Sequence, residues 1–209
     1  ADVRHGFLRH VDGSFETFDL PGAGTGPFQG TFSYAISPSE AITGYYLDDA
    51  GVSHGFFRDH RGVLTSFDVP GGGTDPDEGT YGGGFSPGGA IMGNYFTPDT
   101  LSHGFLRDRN GDFLSFDSPG AGTNPDTFEG TYPFGINSSG AITGWYVDDA
   151  DANHGFIRDK NGVFTTFDVP GAGMGPGQGP LVFSIAPNGA VTGFFLDPDN
   201  VVHGFVRTK

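Results

Sequence analysis

One tripeptide, His-Gly-Phe, recurs along the chain at nearly constant intervals, and this periodicity constrains the fold more than any other feature. It begins at His5, His54, His103, His154 and His203, so successive copies are 49, 49, 51 and 49 residues apart. A period in this range is typical of solenoids and propellers, in which each repeat is one supersecondary unit. We therefore expect a single domain over residues 1–209.

Each repeat contains four short runs rich in aromatic and β-branched residues, separated by clusters of Gly, Pro, Ser and Asp. In the repeat at 31–79 these runs read TFSYAIS, AITGYYLD, HGFFRD and VLTSFDV, and we name their positions a, b, c and d. No window shows apolar residues at helical spacing without an intervening Gly or Pro. The pattern predicts an all-β fold.

The connections between the runs predict how the strands are arranged. Tight turns join a to b and c to d, and the x-Asn-Gly or x-Asp-Gly sequences of most c–d turns favour type I′ hairpins. The b–c links are of medium length, and the d–a links are the longest. Four antiparallel strands followed by a long return are the plan of a propeller blade. We expect a β-propeller of four blades, each with four antiparallel strands.

The two ends of the chain hold incomplete repeats, which suggests that they close the ring together. Complete repeats lie near 31–79, 80–130 and 131–179, and the closing blade would combine 180–209 with 1–30. The N-terminal d run, SFETFDL, would complete that blade. One HGF strand is then surplus. It could be a flap, an edge that pairs with a second chain, or the remnant of a longer array.

The repeated motifs also resemble a known family. The runs HGFLR, HGFFRD, HGFLRD and HGFIRD, the FD-x-PGAGT steps and the run GINSSGAITGWY at 135–146 together are similar to the HAF family, a probable extracellular repeat. The resemblance covers nearly the whole chain. It implies a β-propeller-like array in an exported bacterial protein, and it implies no established reaction.

The charge of the chain excludes several classes of partner. Only 10 Lys and Arg residues oppose 25 Asp and Glu residues, so the formal net charge is -15. A field of this sign repels phosphate backbones and anionic bilayers, and we exclude nucleic acid and membrane insertion. No stretch approaches the roughly 18 apolar residues of a membrane span. We expect an extracellular or periplasmic protein whose signal peptide has been removed. The absence of Cys excludes disulfides and thiolate chemistry.

Carboxylates concentrate in the b–c and d–a links, which a propeller places together on one face, here called the long-loop face. Such a rim suits a hard cation or a polyhydroxylated ligand, although Asp in these links also serves turns and solubility. We select Asp77, Glu129 and Asp148 as ligand-binding candidates. No metal or cofactor is expected, and if calcium binds, the candidate ligands are Asp148, Asp149 and Asp151.

Residues that break the repeat are better functional candidates than residues that obey it. The other two b runs carry Tyr45 and Phe194 where Asn94 and Trp145 stand, and Gly82–Gly84 leaves one inner wall of run a bare. A gap of this kind, bordered by rings, would suit stacking against a sugar or another flat ligand. The candidates at this gap are Tyr34, Tyr45, Asn94, Phe134 and Trp145.

The repeated His and Arg of run c have a structural interpretation, because a catalytic residue is needed only once. We expect His54 and Arg58 to share a sheet face with Phe67 and to form hydrogen bonds between blades. The Asp of each FD-x-PG step is expected to accept backbone N–H bonds at the turn before Pro. If the c–d hairpin of the repeat at 31–79 turns on its x-Gly pair, Asp68 lies opposite Gly55.

Three functions remain open on the sequence alone. The leading hypothesis is a secreted binding module whose long-loop face recognises a glycan or a small molecule. The alternative is a carbohydrate-active hydrolase or lyase that uses loop carboxylates with an HGF His or a Tyr as acid and base. No catalytic residue is assigned, because no G-x-S-x-G, P-loop or H-E-x-x-H motif is present. The third is a structural protein, a monomer or a dimer paired through the surplus HGF strand.

Overall fold

The computed structural model describes residues 2–86 and 88–208, and within them it contains strands and turns but no helix. The all-β prediction is confirmed. Seventeen strands occur, at the positions of the predicted runs. Since no helix forms in the described ranges, none of them holds a helical membrane span.

The strands form an N-terminal hairpin followed by four units in chain order. The N-terminal hairpin contains β1 (Gly6–Arg9) and β2 (Phe15–Phe18). Unit 1 contains β3 (Gly30–Ile36), β4 (Ile42–Leu47), β5 (Ser53–Arg58) and β6 (Leu64–Phe67). Unit 2 contains β7 (Gly79–Phe85), β8 (Ile91–Phe96), β9 (Ser102–Arg107) and β10 (Phe113–Phe116). Unit 3 contains β11 (Gly130–Ile136), β12 (Ile142–Val147), β13 (Asn153–Arg158) and β14 (Phe164–Phe167). Unit 4 contains β15 (Gly179–Ile185), β16 (Val191–Leu196) and β17 (Val202–Arg207).

Neighbouring strands within each unit pair antiparallel in the order a, b, c, d. Successive units touch through a short parallel contact between strand c of one unit and the start of strand a of the next. Ser53 meets Gly79 in this way, and Ser102 meets Gly130. An isolated parallel bridge from Arg4 to Gly30 joins the N-terminal hairpin to unit 1. The units therefore follow one another as a regular array.

The tight turns differ from the predicted type I′ geometry. In the c–d turn of unit 1, Asp59 N–H donates to Val63 O and Gly62 N–H donates to Asp59 O. Only Gly62 has a positive φ, of 84°, within that turn. This is a type I turn followed by a G1 bulge, which needs one more loop residue than a two-residue hairpin. The Asp59 carboxylate stabilises it by accepting the N–H groups of Arg61 and Val63.

The extra loop residue shifts the c–d register by one, and this corrects the predicted face assignment. Phe67, not Asp68, lies opposite Gly55. A one-residue shift moves every side chain of a strand to the other face. The Phe67 ring now covers Gly55, where an added Cβ would overlap it, so the Gly of the HGF motif makes room for this ring. His54 consequently shares its face with Asp68.

The hydrophobic core is divided into clusters that lie between successive units. Leu8 and Leu20 of the N-terminal segment pack with Ile42, Tyr46 and Phe56 of unit 1. The next clusters repeat the arrangement between units 1 and 2, units 2 and 3, and units 3 and 4. Because each unit completes its core on its neighbour, the relative placement of adjacent units is set by side-chain packing.

The expected ring-closing pairing does not occur among the described residues. Strand β2 pairs with β1 in a separate two-stranded sheet, and β17 pairs with β16 at the edge of unit 4. The outward side chains of β17 are correspondingly exposed, with Val206 at 71%. The structure is thus an array of units with two free ends.

Candidate functional site

Strands a and b of each unit carry a patch of rings on one sheet face. In unit 1, Phe32 lies directly opposite Tyr45, and their rings stack at 4.8 Å with an interplanar angle of 10°. Tyr34 adds a third ring at 5.6 Å from Tyr45. Unit 3 repeats the patch with Tyr132 opposite Trp145. A space between units 1, 2 and 3 is lined by Tyr34, Tyr45, Tyr132 and Trp145.

Every a strand has a β-bulge, and in units 1 and 3 the bulge residue carries a ring that lines this space. The pairing of β3 with β4 shifts register between Ser33 and Ala35, so Tyr34 occupies the bulge. The same shift in β11 falls between Pro133 and Gly135 and places Phe134 in the bulge. Bulges re-aim side chains and are enriched beside binding sites. The two bulge rings remain exposed, Tyr34 at 53% and Phe134 at 40%.

Unit 2 lacks two of these rings, and a cavity of about 360 Å³ takes their place. Asn94 stands opposite Tyr81, where units 1 and 3 have Tyr45 and Trp145. The bulge position of β7 lies between Gly82 and Gly84, so the missing bulge ring is that of Gly83. The Gly82–Gly84 backbone forms one wall of the cavity. The prediction that these glycines leave an inner wall bare agrees with this geometry.

Five of the eight predicted ligand-binding residues line this one cavity. They are Tyr34, Tyr45, Asn94, Phe134 and Trp145. Three further rings line it that were not predicted from the sequence, those of Tyr81, Phe96 and Tyr132. The pairing of strands a and b would have identified two of them, because Tyr81 lies directly opposite Asn94 and Tyr132 directly opposite Trp145.

Trp145 is held rigidly at the edge of the cavity. Its indole stacks on Tyr132 at 5.5 Å and 6° and on Phe134 at 5.5 Å and 29°. Phe183 of unit 4 approaches it at 5.5 Å with a tilted ring. Aromatic neighbours in these geometries stabilise one another by about 0.5–1.5 kcal/mol beyond their buried area. The ring positions are therefore preorganised.

Asn94 supplies the polar group of the cavity. Its Nδ2 donates to Ser102 Oγ at 3.1 Å, and Ser102 Oγ donates in turn to Thr131 O at 2.9 Å. This chain fixes the amide orientation. The Asn94 Oδ1 accepts no hydrogen bond from the described residues, so it is an oriented acceptor that a ligand can use.

Three tyrosines of the cavity, Tyr45, Tyr81 and Tyr132, are neutral hydrogen-bonding groups at ordinary pH. Burial, with a smaller contribution from Tyr34, raises the pKa of Tyr45. Burial likewise raises the pKa of Tyr81 and of Tyr132. The Tyr132 hydroxyl donates to Phe128 O, and the Tyr81 hydroxyl donates to Asp77 O at 3.3 Å. A phenol with a raised pKa is a poor general base.

The three acidic candidates lie outside the cavity. Glu129 is 2% exposed and accepts the Asn124 N–H at 3.0 Å inside its own d–a loop. Asp77 is exposed on the corresponding loop of unit 2. Asp148 accepts the N–H groups of Ala150 and Ala152 in the b–c turn of unit 3. Glu129 and Asp148 thus hold loops and turns in shape.

The carboxylates named for calcium do not converge on one point. Asp148 is engaged in its turn, and Asp149 Oδ1 accepts the Thr123 N–H at 2.9 Å. Over residues 2–86 and 88–208, no three His, Asp or Glu side chains are grouped so that they could hold a metal ion.

The HGF histidines bind within their own units, which corrects the expectation of bonds between units. His54 Nδ1 lies 2.9 Å from Asp68 Oδ1, and His154 Nδ1 lies 2.7 Å from Asp168 Oδ1. Each FD-x-PG carboxylate therefore pairs with its histidine, and no backbone N–H bond to it is found in the described residues. The Asp148 carboxylate binds the other nitrogen of His154 at 3.1 Å.

The arginines, in contrast, contact the preceding unit, and Arg58 does so through a hydrogen bond of the expected kind. Arg58 donates to Glu16 of the N-terminal hairpin at 2.6 Å, and its guanidinium lies 5.2 Å from the Phe18 ring centroid. Arg107 lies 5.0 Å from the Phe67 centroid of unit 1. Each such contact places a cation over the d-strand ring of the preceding unit.

Comparison with models of known protein families and with curated proteins finds no match to the chain.

Proposed function

We propose that the chain is a binding module and that the cavity beside unit 2, between the a and b strands of units 1 to 3, is its site for a glycan. The observation that carries the proposal is the replacement of two rings by Gly83 and Asn94 inside an aromatic frame that is otherwise repeated. A sugar ring presents an apolar C–H face and equatorial hydroxyls. The surrounding rings can stack on the apolar C–H face, and Asn94 Oδ1 can accept a hydrogen bond from a hydroxyl.

The proposal extends to architecture and location. Four-stranded antiparallel units that follow one another with long d–a loops fit propeller blades. Strand a would then be innermost, and the cavity would lie where the central channel opens. Secretion is part of the same proposal, on the basis of the resemblance and the acidic composition.

Binding is favoured over catalysis by the lining of the cavity. Every residue lining it belongs to the described part of the chain, and none is Asp, Glu or His. Glycoside hydrolysis requires two carboxyl groups beside the scissile bond. The HGF histidines considered as acid or base pair with aspartates outside the cavity.

The experiment uses the single tryptophan of the chain, Trp145, as an internal reporter. Tetrasaccharides of β-1,4-linked glucose, xylose and N-acetylglucosamine are titrated while indole fluorescence is recorded. We expect a saturable change for at least one of them. If no tetrasaccharide changes the emission or gives heat in calorimetry at millimolar concentration, the glycan proposal is wrong.

Variants then locate the site by calorimetry with the tetrasaccharide that binds. Tyr34→Ala and Phe134→Ala should each weaken binding about fivefold or more, since each removes an exposed stacking ring. The matched control is Phe28→Ala, which removes a 63% exposed ring that does not line the cavity. Equal effects of all three variants would contradict the assignment of the site.

A further inference from the structure

A second cavity lies between units 1 and 2, at the a–b turns of both units and the c–d turn of unit 2. Its volume is about 640 Å³. The apolar part of its lining comes from Ile36, Phe57, Phe85 and Ile91. We name it the turn-side groove. It shares no lining residue with the aromatic cavity.

Two arginines give the turn-side groove a positive charge. Arg107 and Arg109 both line it, and the one carboxylate in the lining is that of Asp108. Asp108 Oδ1 already accepts the N–H groups of Asn110 and Asp112 in the c–d turn. The groove is thus an exception in a chain whose net charge is -15.

This local charge follows from the repeat. Strand c ends in Arg in every repeat, and the c–d turns add further cations. Eight of the nine Lys and Arg residues in the described chain lie at these positions, whereas the long-loop side carries most of the acids. The turn side therefore attracts anions locally in spite of the net charge, because charges beyond roughly 8 Å are screened at physiological salt.

The guanidinium of Arg107 lacks the partner that Arg58 has. Arg58 is 4% exposed and neutralised by Glu16, which lies opposite Leu8 in the N-terminal hairpin. The residue of unit 1 at the position equivalent to Glu16 is Thr65, opposite Phe57, and it carries no charge. Arg107 is accordingly partly exposed in the groove and makes no ion pair with a described residue.

An unsatisfied donor marks the same place. Arg107 Nε is buried and has no hydrogen-bond partner among the described residues. Such groups are uncommon in folded proteins and call for an explanation. Arg158 Nε is also unsatisfied, but its side chain is 7% exposed, and its Nη1 donates to Asp159 O. Of these two unsatisfied guanidinium groups, that of Arg107 lines the turn-side groove.

We propose that the turn-side groove binds a small organic carboxylate with an apolar body. The carboxylate would be held by Arg107, whose planar fork matches its geometry. Arg109 has its Nε bound to Gly88 O, so its terminal nitrogens are available for the same anion. The apolar body would lie on Phe57, Phe85 and Ile91. This site is independent of the glycan site proposed above.

The test compares 4-phenylbutyrate with its uncharged analogue 4-phenylbutyramide by titration calorimetry at about 0.1 M salt. We expect the carboxylate to bind at least about tenfold more tightly than the amide, because only the carboxylate can pair with the guanidinium groups. Failure of the carboxylate to bind at millimolar concentration, or equal affinity of the two compounds, would overturn the proposal.

Two variants assign the site to this groove. Arg107→Met keeps an unbranched apolar stem beside Phe67 and should weaken phenylbutyrate binding about tenfold. Arg109→Gln, in an exposed turn, should weaken it about threefold and decides the question if Arg107→Met does not fold. The matched control is Arg61→Gln, an exposed turn cation outside the groove. The assignment is refuted if Arg107→Met and Arg109→Gln, measured as separate variants, both bind phenylbutyrate as tightly as the parent protein. An equal loss of affinity in Arg61→Gln and Arg109→Gln would also refute it.

Discussion

The histidine of each HGF motif shows why a repeated residue is structural here. His5, His54, His103 and His154 bind the FD-x-PG carboxylate of their own repeat at 2.8, 2.9, 2.9 and 2.7 Å. The bond joins the beginning of strand c to the residue that follows strand d. It therefore fixes the outer edge of the repeat, where the d strand has no further neighbour in its own unit.

Replacing His54, His103 or His154 with Ala should lower the melting temperature by similar amounts. The loss of one such bond costs about 1 kcal/mol, which corresponds to roughly 2–4 °C in a chain of this size. Differential scanning calorimetry of the three variants checks this. If one of them melts like the parent protein and loses glycan binding, that histidine belongs to a site.

Stability should be highest between about pH 3.8 and pH 6.5, because hydrogen bonds favour the charged forms of Asp197 and His103 in the folded protein. Hydrogen bonds from Val201 N–H and His203 lower the pKa of Asp197 below 3.8, so its contribution is complete above pH 3.8 and lost as the pH falls further. A hydrogen bond to Asp117, against the effect of burial, raises the pKa of His103 above 6.5. That contribution is complete below pH 6.5 and lost as the pH rises.

Melting temperatures measured from about pH 3 to about pH 9 test both slopes. Asp197→Asn should reduce the fall of the melting temperature at acid pH, and His103→Gln should reduce its fall at alkaline pH. Asp199→Asn is the control, because its carboxylate accepts no hydrogen bond from a described residue. Unchanged slopes in the first two variants would contradict the linkage.

At the scale of the elements, one turn type organises every hairpin inside a unit. The residue at its left-handed position is Gly in most a–b and c–d turns, but the b–c turns of units 2 and 4 use Thr100 and Asn200, at φ of 59° and 61°. A β-branched residue is strained in this region, whereas Asn tolerates it. Thr100 Oγ1 is in addition buried without a partner in the described chain.

Thr100→Asn should therefore raise the free energy of unfolding by about 1 kcal/mol. The reciprocal change, Asn200→Thr, should lower it by a similar amount at the equivalent position. Both are measured by denaturant unfolding. Changes in the same direction would show that the positive φ does not strain Thr100.

The sequence predicts the elements well and the turns less well, for a physical reason. Alternating rings and turn residues reveal each strand, and the gap at Asn94 and Gly82–Gly84 is visible as a break in the repeat. The motif x-Asn-Gly, however, suits both a type I′ turn and a type I turn with a bulge. These differ by one residue, so Phe67 and Asp68 exchange faces and the His54–Asp68 pair is missed.

At the scale of the whole molecule, the two ends of the array are not equivalent. Leu8 of β1 is 5% exposed and packs on unit 1, whereas Val206, at the same position of β17, is 71% exposed. The N-terminal HGF strand therefore belongs to the core. In a closed ring of four blades, β17 would be the surplus strand.

Leu8→Ala should cost about 2–4 kcal/mol, the usual range for truncating a buried Leu. Val206→Ala should change stability by less than about 0.5 kcal/mol. Urea unfolding of the two variants is the measurement. The opposite order would show that β17, not β1, packs against unit 1 in solution.

If the two missing rings of unit 2 create the binding site, restoring both rings should abolish it. The variant Gly83→Tyr/Asn94→Tyr gives unit 2 the same bulge and b-strand residues as unit 1. Gly83 has no positive φ, and the nearest atom to an added Cβ is Met92 O at 3.2 Å, so the change requires only a small adjustment.

The measurement is the affinity of this variant for the tetrasaccharide that binds the parent protein, determined by calorimetry. The melting temperature is determined on the same sample. We expect affinity to fall by at least about tenfold while the melting temperature stays the same or rises, since filling a cavity stabilises a fold. Undiminished affinity in a folded variant would contradict the account.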